Sequence, residues 1–421
     1  MTPQTPEYWQ AALDHAQRSG RLPSVVGAVV NEGALEWAGT SGDVDSLDQQ
    51  YRVGSITKTL TAVLVLQCRD DGLLGLDDPV GRFLPETGYR DVTVREVLSH
   101  TSGMQAEPVG PWWERAPGIP VADLLAANDG TARVLEPAVS FHYSNLGYAL
   151  LGVVVSRLRG DDWWSLVQDR LLRPLGMMRT TYAAEPPHAQ GSSVDHFAGT
   201  RHDQPHHDTG AMAPAGQLWS TVADLARWLD FLATGHRDVL ARATLVEMAQ
   251  PVVPAEDYGL GLRLLRSPAG VLVGHTGSMP GFLATAFVDP DTRRGVVALA
   301  NATTGVSTDQ LALDLLAGAD PTAERIEPWV PSAEVPDRAA ELLGLWFWGD
   351  TALEIRWHNE LLEVRTLSPR ELSDRFAVTP DRIVGVDGYH LGETLEVHRA
   401  TDGTISHLEC ATFVYTRHPI R

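Results

Sequence analysis

Two side chains three residues apart, Ser55 and Lys58 in the stretch YRVGSITKTLTAV, could together make a nucleophile. A serine hydroxyl attacks a carbonyl only when a base takes its proton, and a desolvated lysine can be that base whereas an arginine cannot. Lys and Arg together number 33, and Lys58 is the only lysine. Arginine serves wherever a permanent charge suffices, so the one ammonium points to proton chemistry beside Ser55. The competing reading is chance placement, and the rest of the chain must decide between them.

An acyl-transferring serine also needs a group that handles the leaving group's proton and donors for an oxyanion. The string PAVSFHYSNLGYALLG offers Tyr143 as a proton shuttle and Asn145 to orient a ligand or Lys58. The string VLVGHTGSMPGF offers His275, Thr276 and Gly277 at the end of an apolar strand. Taken alone, the first reads equally as a helix cap and the second as an ordinary strand turn.

The elements that must position these residues follow from periodicity. SVVGAVV (24–30), the turn NEG and ALEWAG (34–39) read as a β-hairpin. Residues 57–70 carry Leu60, Val63, Leu64 and Leu66 at helical intervals, so Ser55 stands at the mouth of a helix whose first turn holds Lys58. At that spacing both side chains leave one helix face. Residues from about 75 to 250 read as a helical insertion, and GLRLLR, GVLVGH, FLATAFVD and GVVALAN return to strands before the helix DQLALDLLAG. The Pro-rich EPWVPSAEVP marks a linker, and ALEIRW, LLEVRT, RIVGV, TLEVHR and ATFVYT predict a small antiparallel β-domain. The expected organisation is a domain over 1–325, a linker over 326–338 and a β-domain over 339–421.

At 421 residues, 43% hydrophobic and 21% charged, the chain has ample material for a core. Its net charge of −21, with no basic run, argues against nucleic acid as a partner. The longest apolar runs, such as YALLGVVV, fall far short of the ~20 residues that span a bilayer, and the start MTPQTPEYWQ lacks the pattern of an export signal. A cytoplasmic protein with no membrane partner is expected, and Cys68 and Cys410, near opposite ends, form no disulfide framework.

In order and context, SITK, YSN and HTG resemble the three-motif signature of the penicillin-recognising serine hydrolases. That family includes class C β-lactamases, D-alanyl-D-alanine carboxypeptidases, D-aminopeptidases, esterases and the penicillin-binding-protein-type thioesterases that cyclise non-ribosomal peptides. LDDPVGRFLP (76–85), VLSHTSGM (97–104), RPLGM (173–177), PAGQLWSTVADLARW (214–228) and YGLGL (258–262) extend the resemblance over residues 20–320. It implies an α/β (α+β) fold of the β-lactamase/penicillin-binding-protein type, an antiparallel sheet flanked by helices with a helical insertion. The segment from about 335 resembles the lipocalin-like module appended to some members.

The resemblance further implies that Ser55 carries the acyl group, Lys58 is its base or relay, and Tyr143 passes protons to and from the leaving and entering groups. Asn145 would hold the substrate amide or Lys58. The backbone amides of Ser55 and Ser278 would hold the oxyanion, with His275, Thr276 and Gly277 lining the same strand. Two departures stand out: imidazole at position 275, where most β-lactamases of this fold carry a lysine, and Gln217, where a second glycine is usual. The first turns the expectation from penicillin towards esters, thioesters or D-amino-acid amides, and the second would narrow or line the pocket. No cofactor or metal is implied. The partner would be a small-molecule or peptide acyl substrate, carrier-bound if the chain is a cyclising thioesterase.

A true β-lactamase and a non-catalytic acyl-binding protein are the remaining alternatives. HAQGSSVDHFAGTRHDQPHHD (188–208) gathers histidines and aspartates without metal-ligand spacing and reads as a polar loop. The twelve tryptophans read as packing before they read as a substrate groove.

Overall fold

The computed structural model describes residues 5–138, 140–253, 256–317, 327–367 and 373–420. The boundary expected at 325/326 lies outside these residues. They form two compact units, one of 1–193 with 203–329 and one of 194–202 with 330–421.

The first unit is built on a six-stranded antiparallel sheet of β1 (Ser24–Asn31), β2 (Ala34–Gly42), β3 (Arg263–Ser267), β4 (Gly270–Met279), β5 (Phe282–Val288) and β6 (Arg294–Ala300), in the order β2-β1-β6-β5-β4-β3. The expected hairpin closes through Glu32 and Gly33, at φ 50° and 77°. Two central residues at positive φ match the twist of a tight hairpin, and glycine takes the second without strain. β1 is buried on both faces because its residues divide between two cores. Val25 and Val29 pack with Leu13 and Leu315 of helices Pro6–Gly20 and Thr308–Ala317, while Val26, Ala28 and Val30 join the core that holds Leu225 and Leu229 of Val222–Thr234. Each of these valines and leucines contributes about 1.5–3 kcal/mol by leaving water.

The helix Thr57–Asp70 lies inside the larger core, and 12 of its 14 residues are buried. Only its last turn reaches the surface, and its buried Thr59, Thr61 and Gln67 are hydrogen-bonded, so its one ammonium is desolvated by position. Beside it runs Asn145–Arg159, capped by Ser144 Oγ, which accepts from the Gly147 amide at 3.0 Å, and ended by Gly160 at φ 74°. The expected helical insertion is less helical than periodicity suggests. Long irregular stretches separate its helices, and Val222–Thr234, read as part of it, packs instead on the main sheet. Its apolar face is as good a match for a sheet as for another helix, and periodicity cannot tell them apart.

The second unit is an eight-stranded antiparallel sheet between Gly344 and Thr416. Its end strands, Ile383–Asp387 and Leu395–Arg399, meet through a bridge between Val384 and Thr394, so the sheet nearly closes into a barrel around Trp346, Ile355, Phe376 and Leu408. Part of the polar stretch 188–208 belongs to this unit. His196 Nε2 lies 2.9 Å from Glu354 Oε2, and the Phe197 carbonyl accepts from the Trp357 amide at 2.7 Å. Among the described residues no helix is long and apolar enough to cross a membrane.

Candidate active site

A short 3-10 turn, Gly54–Ile56, delivers Ser55 to the start of the Thr57–Asp70 helix. Ser55 is half-buried and Lys58 fully buried, with Nζ 2.9 Å from Ser55 Oγ. A second contact fixes the amine: Nζ donates to the Ala215 carbonyl at 2.6 Å. Burial pulls Lys58 from the usual lysine range down to about 7, against the opposing pull of Glu107 and Glu114. An amine so shifted can give up its proton near neutrality, and once neutral it can accept the proton of the serine hydroxyl to which it now donates.

The sheet approaches this corner through glycine. A Cβ on Gly277 would stand 1.9 Å from the Val53 carbonyl oxygen and 3.0 Å from the Ser55 amide, and one on Gly54 would stand 2.7 Å from the Ser278 amide. Only glycine permits that approach, which sets the amides of Ser55 and Ser278 side by side. β3 pairs with β4 only as far as Gly274, so among the described residues β5 is the sole strand partner of His275–Met279.

Tyr143 closes the corner. Its ring centroid lies 5.0 Å from Lys58 Nζ, and burial raises the proton affinity of its phenol while the neighbouring Ser55 side chain opposes that rise. Behind it the His100 ring packs at 4.1 Å. The Ser144 amide donates to His100 Nδ1 at 3.0 Å, so Nε2 carries the hydrogen and faces the Tyr258 hydroxyl at 3.2 Å. At the other end His275 Nδ1 donates to the Thr276 carbonyl, which leaves Nε2 to accept from Tyr258 at 3.2 Å. The run His100, Tyr258, His275 is thus a one-way chain of hydrogen bonds anchored on backbone at both ends. Burial holds both imidazoles neutral, His275 down to about 3 and His100 well below its usual value. His100 also sits at φ 58°, a conformation that costs a non-glycine residue about 1–3 kcal/mol.

Several expected roles change here. His275 is only 2% exposed and has both nitrogens engaged, so it presents neither charge nor a free nitrogen to a ligand. The guanidinium beside this strand is Arg263, which donates to Thr276 Oγ1 at 2.9 Å and pairs with Asp309 at 2.9 Å. Gln217 does not line the pocket. It is buried, its Oε1 accepts from Arg52 and from the amide and hydroxyl of Thr209, and its Nε2 donates to the Tyr182 carbonyl. Extra side-chain volume at this position fills a polar seam under the site instead. Asn145 donates not to Lys58 but to Glu107 Oε1 at 2.7 Å. Thr276 is half-buried and Ser278 exposed.

Glu107 and Glu114 carried no signal in the sequence. Glu107 is exposed and takes a further hydrogen bond from Trp113 Nε1 at 2.6 Å, while Glu114 accepts from Trp112 Nε1 at 2.8 Å. Burial raises the Glu114 carboxyl, and the neighbouring Glu107 charge adds to the shift. Both carboxylates act on Lys58 and hold its proton against desolvation. In the stretch 188–208, His188 and His206 pack against Trp219 at 5.8 and 4.7 Å.

The beta-lactamase family model matches residues 9–320. The chain belongs to the beta-lactamase family. A second model, a domain of unknown function (DUF7586), matches residues 335–417. Among relatives of this beta-lactamase-family chain are Beta-lactamase-like protein 2 of Dictyostelium discoideum, 28% identical over 63% of this chain and 55% of that protein, and Penicillin-binding protein 4* of Bacillus subtilis, 27% identical over 60% of each. The chain therefore spans little more than half the length of these two relatives. Among solved structures, a D-stereospecific amidohydrolase from Streptomyces is 28% identical over 75% of this chain and all of that one, with a TM-score of 0.65. A penicillin-binding protein homologue from Pyrococcus abyssi, 22% identical, shares the fold over 97% of this chain and 99% of its own at a TM-score of 0.67. The beta-lactamase-family fold read from SITK, YSN and HTG is the one observed, and the chain's relatives include a D-alanyl-D-alanine-carboxypeptidase/endopeptidase of Escherichia coli, 27% identical over 51% of this chain and 60% of that protein.

Proposed function

We propose that this chain is a serine acyl-hydrolase that forms a Ser55 acyl-enzyme and acts on amides or esters of D-amino acids that carry a free α-amine. The observation that carries the reading is the 2.9 Å contact of a buried Lys58 amine, its proton affinity lowered by desolvation, with a half-buried serine hydroxyl. Ser55 Oγ bonds to the carbonyl carbon as its proton passes to Lys58 Nζ. The resulting oxyanion takes hydrogen bonds from the Ser55 and Ser278 amides, whose loss would cost on the order of 10²–10³ in rate. The proton then moves through the Tyr143 hydroxyl to the leaving amine or alkoxide as the C–N or C–O bond breaks. Water, giving its proton back along the same route, releases the acid and restores Ser55.

The substrate class rests on charge. Two carboxylates at the mouth attract an ammonium and repel a carboxylate, and His275 supplies no compensating cation. The D-stereospecific amidohydrolase named above, at 28% identity, supports the same choice. Intact mass spectrometry after exposure to a fluorophosphonate, a penicillin, and D- and L-aminoacyl amides with free or acetylated amines tests it. The expected result is a fluorophosphonate adduct on Ser55, turnover of the free D-aminoacyl amide, and poor turnover of its acetylated form. An unlabelled Ser55 in folded protein would refute the mechanism. Labelling with equal turnover of free and acetylated amines would refute the substrate class alone.

A further inference from the structure

The second unit holds a cluster outside this chemistry. The strands Leu395–Arg399 and Ile405–Cys410 run antiparallel, with Glu396 opposite Glu409 and His398 opposite His407. Leu395, Leu408 and Cys410 point into the barrel core, so by the two-residue alternation of strands these four polar residues share the outer face. Two carboxylates opposed on a ladder repel one another, as would two protonated imidazoles. Yet the His398 and His407 rings stack at 4.4 Å with planes 4° apart.

A bound cation would turn both repulsions into ligation once one ring turns out of the stack, because each nitrogen lone pair lies in its own ring plane and two parallel planes do not converge on one ion. His398 Nε2 has no hydrogen-bond partner, and it lies 3.3 Å from Glu409 Oε2 and 3.6 Å from Glu396 Oε2. Donor atoms bound at the 2.0–2.1 Å of a tetrahedral zinc site stand about 3.3–3.4 Å apart. One nitrogen of each histidine and one Glu409 oxygen already lie within 4.8 Å of one another, and none of the three residues is fully buried, so an ion can enter. A supporting contact holds the second ring. Ser406 Oγ gives its hydrogen to the His398 carbonyl at 3.1 Å and accepts from His407 Nδ1 at 2.9 Å, which keeps the lone pair of that ring on Nε2.

We propose that His398, His407 and Glu409, with Glu396 beside them, bind a borderline divalent cation of the zinc type. Two imidazoles with carboxylate suit Zn²⁺, Co²⁺ or Ni²⁺ better than Ca²⁺ or Mg²⁺. The ion would clip the hairpin that ends one side of the eight-stranded sheet, beside the seam bridged by Val384 and Thr394.

The test uses the full chain without a histidine tag, stripped with chelator and titrated with Co²⁺, read by the visible absorption of a low-coordinate cobalt site, with Zn²⁺ competition and thermal melting in parallel. Expected are one Co²⁺ per chain, displaced by Zn²⁺, a metal-dependent rise in melting temperature, and affinity weakened about tenfold or more in both His398→Ala and Glu409→Gln. If His398→Ala misfolds, His407→Gln on the same solvent-facing surface replaces it. Absence of a cobalt spectrum at 100 μM-order concentrations, or binding undiminished in these folded variants, overturns the proposal.

Discussion

Two buried polar clusters meet at the ring of Tyr143, and they use burial to opposite ends. In the run His100, Tyr258, His275 the described hydrogen bonds leave no ring nitrogen idle, and both ends rest on backbone. In the corner of Ser55 and Lys58 the amine donates both to the Ala215 carbonyl and to the half-buried Ser55 hydroxyl, and on losing its proton it offers that hydroxyl a lone pair. Desolvation shifts proton affinity in both. What differs is commitment: a shifted group with an uncommitted lone pair is a reagent, whereas a shifted group whose bonds are all in use is framework.

The sharpest way to break this contrast is Lys58→Met. Fluorophosphonate labelling of Ser55 should fall on the order of 10³-fold or more, while thermal stability holds or rises because a desolvated amine has gone. Labelling near the wild-type rate would make Lys58 framework as well. In the wild type, labelling should climb with pH and level off above about 7, as the amine loses its proton. The sign for folding is the same. Lys58 binds its proton less tightly folded, at about 7, than at its ordinary 10.5, so between these values the unfolded chain holds more protons. Stability relative to Lys58→Met should therefore rise with pH across that window in denaturant titrations.

Gly277→Ala comes next, because its methyl would meet the Val53 carbonyl at 1.9 Å and force strand and nucleophile apart. A loss of about 3 kcal/mol or more, with labelling lost in parallel, is expected from chemical denaturation. Tyr258→Phe inverts the Lys58 pattern. It strands one imidazole donor and one acceptor, at about 1–3 kcal/mol each, yet should leave labelling within tenfold of wild type. A collapse of labelling without loss of stability would show the histidine chain to be part of the chemistry. The smallest effect belongs to Glu114→Gln: the preference for free over acetylated D-aminoacyl amide should shrink roughly fivefold, in line with one half-exposed charge.

What was legible in the sequence was what a short string can hold. SITK and the HTG strand set residue types at fixed spacing, and the hairpin and strands of the main sheet follow from β-branched runs around turn residues. What was hidden depends on convergence. His100, Tyr258 and His275 come from three separate segments, and nothing in VLSHTSGM or YGLGL says that their rings will meet. Gln217 and Asn145 were assigned by position, but of their partners Thr209 and Glu107 lie on loops without periodicity and Arg52 on a strand only two residues long. In the second unit Gly344–Trp348, Ser373–Val378 and Ile405–Cys410 escaped the reading because an aromatic run and charged outward residues blur the alternation that betrays a strand.

The complete burial of Lys58 also gives this molecule a built-in gauge of its own opening. The ordinary targets of amine-directed reagents here are the backbone's leading amino group and this one side chain, which folding shuts away. With the Ser55 entrance blocked by a fluorophosphonate, acylation of the second site must proceed through excursions that wet the central helix, so its rate clocks those excursions.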